Sequence, residues 1–165
     1  MKAYQLSLSE QLKNAAETAS TATMLGVVVG ENRCLVHMGE VNEVIQVPKL
    51  APVALTQSWF LGMANVRGNL YSIADLAVYW RGVPTPFGTK ARVLLVAPRF
   101  KINSGLLVSN MLGIRSLSDF ERIEGAQTAI QTGIAGHYKD KEGRPWLELN
   151  LQELIRDEMF LQIAV

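Results

Sequence analysis

Residues 62–76 read GMANVRGNLYSIADL, and this stretch decides the fold. The five residues Asn65–Asn69 have the composition of a turn, with a glycine between asparagines. Leu70–Ala74 is a short apolar run typical of a strand, and Asp75 is placed to cap a brief helix that continues through Trp80. The stretch therefore predicts a turn, a strand and a short helix in succession.

Short strands are predicted on both sides of this stretch. Before it, two β runs separated by Gly30, Glu31 and Asn32 indicate a hairpin, and a third run ends at Pro48. The predicted strands are Met24–Val29, Arg33–Met38, Val41–Val47, Ala91–Ala97, Gly105–Ser109, Leu112–Leu117, Ile130–Tyr138 and Pro145–Leu149. Because strands and helices do not alternate, the pattern favours a mainly β fold of barrels or a sandwich over a doubly wound α/β fold.

Helices are predicted only at the ends and corners of the chain. Ser7 and Glu10 have the spacing of a capping box ahead of an amphipathic helix over residues 7–19, and Asn150 and Glu153 repeat that spacing ahead of a terminal helix. The aromatic-rich segment 56–64 has apolar residues at helical spacing, which predicts one or two helical turns.

The chain is predicted to be one domain with short extensions. Residues 1–22 form a helical leader, residues 23–156 the domain and residues 157–165 a C-terminal tail. The segment 81–90 is rich in glycine and proline, so we expect a surface loop there that divides the domain into two subdomains.

Composition excludes several classes of protein. The 165 residues carry 16 basic and 15 acidic side chains, a net charge of +1, without the basic patch that nucleic-acid binders show. No apolar run approaches the roughly 20 residues needed to span a bilayer, so no membrane insertion is expected. A single cysteine and the absence of a signal-peptide pattern indicate a cytoplasmic protein.

No arrangement of residues indicates catalysis. Cys34 and His37 lie three positions apart in a predicted strand and so point to opposite faces; we expect Cys34 to be a small buried apolar residue. His137 is far away in sequence, so the ligands for a metal are too few. No glycine-rich phosphate loop is present. The expectation is a protein with no catalytic residues, no metal and no cofactor.

The segment 41–80 is poor in charge and rich in aromatic residues. It carries only four charged side chains, those of Glu43, Lys49, Arg67 and Asp75, where about ten are typical of forty residues. Few charges together with aromatic residues are found both in protein cores and in interface centres. A lone acid and a lone base in such a stretch are costly unless paired, so we expect Glu43 and Arg67 to pair.

Four stretches together resemble the family of CheW-like domains. Gly62–Leu76 resembles the family's glycine, its Asn-Leu-Arg-Gly turn and its apolar strand ending in Asp-Leu. Val41–Ile45 resembles the family's Val-x-Glu-Ile strand, Gly105–Ser109 its glycine-led strand, and Leu149–Ile155 its closing strand and helix. The resemblance covers about residues 23–156. The sequence of residues 38–41 and 59–68 is most similar to that of the PilI branch of the family. Proteins of this branch act in chemosensory systems that control type IV pili and twitching motility.

Three positions depart from the family's pattern. Ser72 stands where the family usually has proline, Ala77 where it has a basic residue, and Ser109 where it has aspartate. These departures leave the predicted fold intact and concern the details of partner contacts.

The resemblance implies two intertwined five-stranded SH3-like barrels with short peripheral helices, and a non-catalytic adaptor function. Such adaptors couple a methyl-accepting chemoreceptor to a chemosensory histidine kinase that carries a homologous regulatory domain. The resemblance further implies recruitment to membrane-bound receptor arrays. By this resemblance the receptor-binding residues are Val41, Glu43, Asn65, Arg67 and Gly68.

For the kinase, we expect the surface to lie on the strand that begins at Gly105, because a glycine-led edge strand would let another barrel approach closely. The residues expected there are Gly105, Leu106, Val108 and Leu112.

Three alternatives remain open from the sequence. The chain could be a coupling protein of a flagellar chemotaxis system rather than a pilus system. It could instead be an oligonucleotide-binding small barrel, which the charge of +1 disfavours. A small enzyme with an unrecognised site is the third alternative, and the lack of a base near a nucleophile disfavours it.

Overall fold

The structure, a computed structural model, describes residues 23–86, 88–124 and 133–164. The leader predicted over residues 1–22, with its helix over 7–19, lies outside the described residues. The strands in this part of the chain are β1 (Thr23–Val29), β2 (Asn32–His37), β3 (Val41–Gln46), β4 (Phe60–Val66), β5 (Asn69–Asp75), β6 (Arg92–Val96), β7 (Ser104–Val108), β8 (Asn110–Ser116), β9 (Glu121–Arg122), β10 (Ile134–Lys139) and β11 (Pro145–Leu149). The mainly β fold is thereby confirmed.

The strands form two sheets that are intertwined in sequence. The first sheet has the order β8-β1-β2-β11-β10-β9, and the second has the order β3-β6-β7-β5-β4. The first sheet has six strands rather than the expected five because the two-residue β9 pairs with β10. Along the described residues, β1 and β2 lie in the first sheet, β3 to β7 build the whole second sheet, and β8 to β11 return to the first.

This topology corrects the predicted boundary between subdomains. Segment 81–90 connects a helix after β5 to β6, and both strands belong to the second sheet. The chain instead changes sheets at Met38–Glu40, a 3₁₀ turn between β2 and β3, and at Ser109 between β7 and β8. Glycine and proline show that a segment is a loop, but they do not show that the chain changes sheets there. A crossover of three residues or fewer is too short to have a recognisable composition.

Three apolar clusters explain why so many strands read as continuous apolar runs. One cluster lies inside each sheet, and a third, larger one is shared between the two sheets. In β6, Val93 and Leu95 face the cluster inside the second sheet, whereas Leu94 and Val96 face the shared cluster. Because side chains alternate along a strand, a strand with a core on each face has no polar face.

In the described part of the chain, three short α-helices cover the ends of the strands: α1 (Leu76–Arg81), α2 (Leu151–Arg156) and α3 (Glu158–Leu161). Two of the three predicted caps are confirmed, and the third, at Ser7, lies outside the described residues. Asp75 Oδ1 accepts from Ala77 N at 3.1 Å, and Asn150 Oδ1 accepts from Glu153 N at 3.0 Å. Asp75 is also buried, and its two carboxylate oxygens accept hydrogen bonds from the backbone and the hydroxyl of Thr85.

The helical turns predicted over 56–64 are wrong, since β4 occupies most of that segment. Phe60, Gly62 and Ala64 are buried at alternate positions of β4, and a bulge between Phe60 and Gly62 turns Phe60 to the shared cluster while Ala64 faces the cluster inside the second sheet. Two of these three buried residues are small, so hydrophobicity did not reveal the alternation. Gly62 has a φ of +134°, and a Cβ there would lie 2.5 Å from the carbonyl oxygen of Ala51.

The C-terminal segment predicted to be a tail packs against the domain. Phe160 is buried, and its ring stacks on that of Trp59 with centroids 5.0 Å apart. Tyr79 meets both rings edge-on, and its hydroxyl donates to Asp157 at 2.7 Å. The segment therefore leads from α2, which follows the first sheet, onto the second sheet.

Candidate docking surface at the turn between β4 and β5

The turn between β4 and β5 is a two-residue hairpin whose central residues are Arg67 and Gly68. Their φ angles are +51° and +87°, the pattern of a type I′ turn. Asn65 Oδ1 accepts a hydrogen bond from Gly68 N at 2.9 Å, which holds the turn from within. Glycine is favoured at position 68 by its positive φ and not by lack of space, because no atom lies within 4 Å of a Cβ built there.

Arg67 occupies a backbone conformation that favours glycine, asparagine or aspartate. A positive φ crowds the Cβ of an L-residue against its own backbone, so arginine is an unfavourable choice at this position of the turn. The contacts of its side chain explain why an arginine occupies this position.

The guanidinium of Arg67 holds the carboxylate of Glu43 with both arms. Arg67 Nη1 donates to Glu43 Oε1 at 2.9 Å, and Nη2 donates to Oε2. The side chain of Arg67 is 67% exposed and that of Glu43 is 34% exposed, so the pair lies at the surface. The predicted pairing of these residues is confirmed, and the pair faces solvent.

The pair joins the two edges of the second sheet. Glu43 lies on β3 at one edge, and Arg67 follows β4 at the other, with β6, β7 and β5 between them in hydrogen-bonding order. Ile45 of β3 and Val66 of β4 pack on the same apolar cluster. The second sheet therefore curls until its edges meet, and the pair closes this curl at one end.

The pairing changes the proton affinity of both groups. The hydrogen bonds from Arg67 lower the pKa of the Glu43 carboxyl, against a smaller opposing effect of desolvation. Those same hydrogen bonds raise the pKa of Arg67. Both groups are therefore held in their charged forms.

The other expected receptor-binding residues lie close to this pair in the fold. Val41 begins β3, is half-buried and packs against the shared cluster, while Asn65 and Gly68 are exposed in the turn. Leu70, the second residue of β5, is also 58% exposed. Sequence reasoning missed Leu70, because it assigned the whole apolar run 70–74 to a strand without a solvent-facing position.

The strand expected to contact a kinase is not an edge strand. β7 lies between β6 and β5, and all of Ser104–Val108 is buried. Leu106 and Val108 face the shared cluster. A Cβ at Gly105 would lie 2.7 Å from Val93 Cγ1 and 2.8 Å from Ile73 Cδ1, so Gly105 is required for packing in the core. These three residues cannot form an exposed docking edge.

Leu112 differs from those residues because it lies on β8, the edge strand of the first sheet. It is half-buried against the cluster inside that sheet, and the neighbouring Ile114 is 67% exposed. The edge that the sequence placed at β7 is thus found one strand later. Edge position depends on the strand order, which a single strand's sequence does not reveal.

The residues considered for catalysis are placed apart. Cys34 is fully buried in the shared cluster, and desolvation raises the pKa of its thiol to about 12. His37 points the other way, with Nε2 at 2.8 Å from Glu148 Oε2. Among the described residues, no group of three or more His, Cys, Asp and Glu side chains could hold a metal ion.

No helix in the described ranges is both long and apolar enough to cross a membrane.

Comparisons with known proteins point to one family. The sequence profile of the CheW-like domain matches residues 23–159. The chain is 28% identical over 161 residues to Protein PilI of Pseudomonas aeruginosa, covering 96% of this chain and 89% of that protein. Its fold is similar to the crystal structure of the scaffolding protein TtCheW from Thermoanaerobacter tengcongensis, with a TM-score of 0.67 and 16% identity over 79% of this chain and 85% of that one. The chain belongs to the family of CheW-like domains.

Proposed function

We propose that this protein is an adaptor that couples a methyl-accepting chemoreceptor to a chemosensory histidine kinase in a system controlling type IV pili. Membership of the CheW-like family supports a scaffolding role. The observation that carries the proposal is the Glu43–Arg67 pair, which closes the second sheet and presents the turn between β4 and β5 to solvent.

The exposure of this pair argues for a role in binding. Ion pairs in solvent contribute little to stability, and Arg67 adopts an unfavourable backbone conformation to make this one. The pair therefore fixes the shape of an exposed turn more than it stabilises the fold. A receptor docked here would contact the exposed Leu70 beside the pair.

The assignment to a pilus system rests on the relative named Protein PilI, which aligns along nearly the whole chain. A flagellar chemotaxis system is the competing assignment. Deleting the gene should abolish twitching and leave swimming intact; loss of swimming alone would favour the flagellar assignment.

The kinase surface is proposed to include Leu112 and Ile114 on the edge strand β8. An exposed strand edge and an exposed apolar side chain are what a second barrel domain can contact closely. Replacing Ile114 with glutamate should weaken binding to the kinase regulatory domain in calorimetry and leave receptor binding unchanged.

The receptor surface is tested with a double-mutant cycle. Glu43→Ala and Arg67→Ala should each weaken binding to the receptor's cytoplasmic fragment by roughly tenfold, and the double variant should be little worse than either. Losses that add strictly would show that the two residues do not act as a pair. Single-stranded DNA is the control ligand, and binding that falls steeply with salt would favour the oligonucleotide-binding alternative.

A further inference from the structure

The leader, residues 1–22, enters the described fold at the edge of a cavity. The pairing of β1 with β2 includes Met24 opposite His37, so Thr23 lies next to the 3₁₀ turn Met38–Glu40, which β1 contacts. His37 and two residues of this turn line a cavity of about 330 Å³. The point at which the leader joins β1 is therefore beside this cavity.

The cavity continues into a larger one with an apolar floor. Arg99 and Gln152 line both this cavity and its neighbour, which has a volume of about 550 Å³. The floor of the larger cavity, here called the apolar groove, is formed by Phe100, Ile102, Ile155 and Leu161. Leu161 is 46% exposed there. An exposed floor of this kind favours a cover that has an apolar side of its own.

The sequence of the leader provides such a side. In the amphipathic helix predicted over residues 7–19, the apolar residues share one side, namely Leu8, Leu12, Ala15, Ala16 and Ala19. The charged residues of the same stretch, Glu10, Lys13 and Glu17, fall away from that side at helical spacing. The leader therefore has an apolar side without charges on it.

The leader can reach the apolar groove and is kept close to it. A helix over residues 7–19 would be about 20 Å long, and residues 20–22, which link it to Thr23, span at most roughly 10 Å. A segment tethered in this way has an effective concentration on the order of millimolar, so a weak apolar contact is enough to hold it.

We propose that the leader folds back and covers the apolar groove of its own chain, with Leu8 and Leu12 against the floor. A partner that uses this floor has to displace the leader first, so the leader limits access to the groove. The contact lies within one chain, and the inference does not rest on the proposed adaptor function.

The tether makes the chain's own leader the preferred occupant. The leader of a second copy would offer the same apolar side, but at micromolar protein its concentration is roughly a thousandfold below that of the tethered segment. The contact is apolar, and the cations that line the groove, Arg99, Lys101 and Arg156, face no acid on the apolar side of the leader. Salt should therefore have little effect on it.

Thiol alkylation at the floor of the groove measures this cover. Leu161→Cys places a reactive thiol in the groove, and the natural Cys34 is fully buried and gives no background. Adding Leu12→Glu keeps a helix-forming residue but puts a charge on the apolar side, so it should speed alkylation by about fivefold or more. Asn14→Glu places the same charge on the opposite side of the helix and should leave the rate unchanged.

Two further measurements assign the protection to the leader and to the groove. A peptide of residues 1–22 at about millimolar concentration should slow the alkylation of the Leu12→Glu protein again, and the same peptide with Leu12→Glu should not. Val83→Cys is the control site, because Val83 is 60% exposed beside the hairpin at the other end of β1. Its alkylation should not respond to Leu12→Glu.

Three results would overturn the proposal. The first is equal alkylation of Leu161→Cys with and without Leu12→Glu. The second is protection that grows with protein concentration, which would show that the leader of a second copy covers the groove. The third is protection that high salt removes, which would show that charges rather than the apolar side hold the leader in place.

Discussion

At the scale of single residues, side chains at this protein's turns decide local geometry through their hydrogen bonds. Arg67 and Asp140 show this in opposite ways. Arg67 accepts an unfavourable backbone to reach Glu43, whereas Asp140 uses its carboxylate to organise the turn between β10 and β11. The consequences for stability therefore differ.

Replacing Arg67 with asparagine should leave stability unchanged or slightly higher while weakening receptor binding. Asparagine tolerates a positive φ, so the relief of backbone strain in the turn offsets the small stabilisation that is lost with the exposed ion pair. Thermal unfolding and calorimetric binding measure the two effects separately. A clear fall in the unfolding temperature would show that the pair supports the fold itself.

Asp140 should make stability depend on pH in the acid range. Desolvation alone would raise the pKa of this carboxyl, but hydrogen bonds from Trp146 Nε1, from Arg144 and from the Glu142 amide hold it well below the ordinary 3.8. A pKa lowered by folding stabilises the fold above the ordinary value. This contribution is lost as the pH falls below about 3.8 toward the lower folded value.

Asp140→Asn should therefore lower the unfolding temperature by several degrees at pH 7, and the difference from the parent should shrink as the pH approaches 2. Thermal unfolding followed by circular dichroism across this range measures it. Asp119→Asn on the exposed neighbouring turn removes the same charge and is the control. A difference that stays constant with pH would refute the role of the Asp140 charge.

At the scale of elements, β7 is buried at all five of its residues, because it has a core on each face and a strand on each edge. Gly105→Ala should destabilise the protein by about 1–3 kcal/mol, because the added Cβ would overlap Val93 and Ile73. Urea unfolding measures this loss. Gly39→Ala, where no atom lies within 4 Å of the new Cβ, should change stability by less than about 0.5 kcal/mol. Equal effects of the two substitutions would contradict this account of β7.

At the scale of the whole molecule, the shared cluster makes the two sheets one folding unit. Phe160 belongs to this cluster and stacks on Trp59, so the C-terminal segment helps to hold the two sheets together. Phe160→Ala should cost about 3–5 kcal/mol, and unfolding should remain a single transition. The exposed Leu161→Ala should cost less than about 0.5 kcal/mol. Two separated transitions in Phe160→Ala would show that each sheet folds on its own.

Local features of the fold were predictable from the sequence because neighbouring residues decide them. The hairpin around Gly30, the caps at Asp75 and Asn150, and the turn at Asn65–Asn69 each depend on a few adjacent side chains. The Glu43–Arg67 pair was predictable as well, because an isolated acid and an isolated base stand in a charge-poor segment.

Only the tertiary structure decided which strands are edges and where the chain changes sheets. β7 and β8 both read as short apolar strands, yet one is central and the other is an edge, because strand order depends on pairing between distant segments. In β4, a core on each face and small buried residues concealed the alternation. The sequence by itself thus determined the turns, the caps and the family, and long-range packing decided which surfaces remain available for partners.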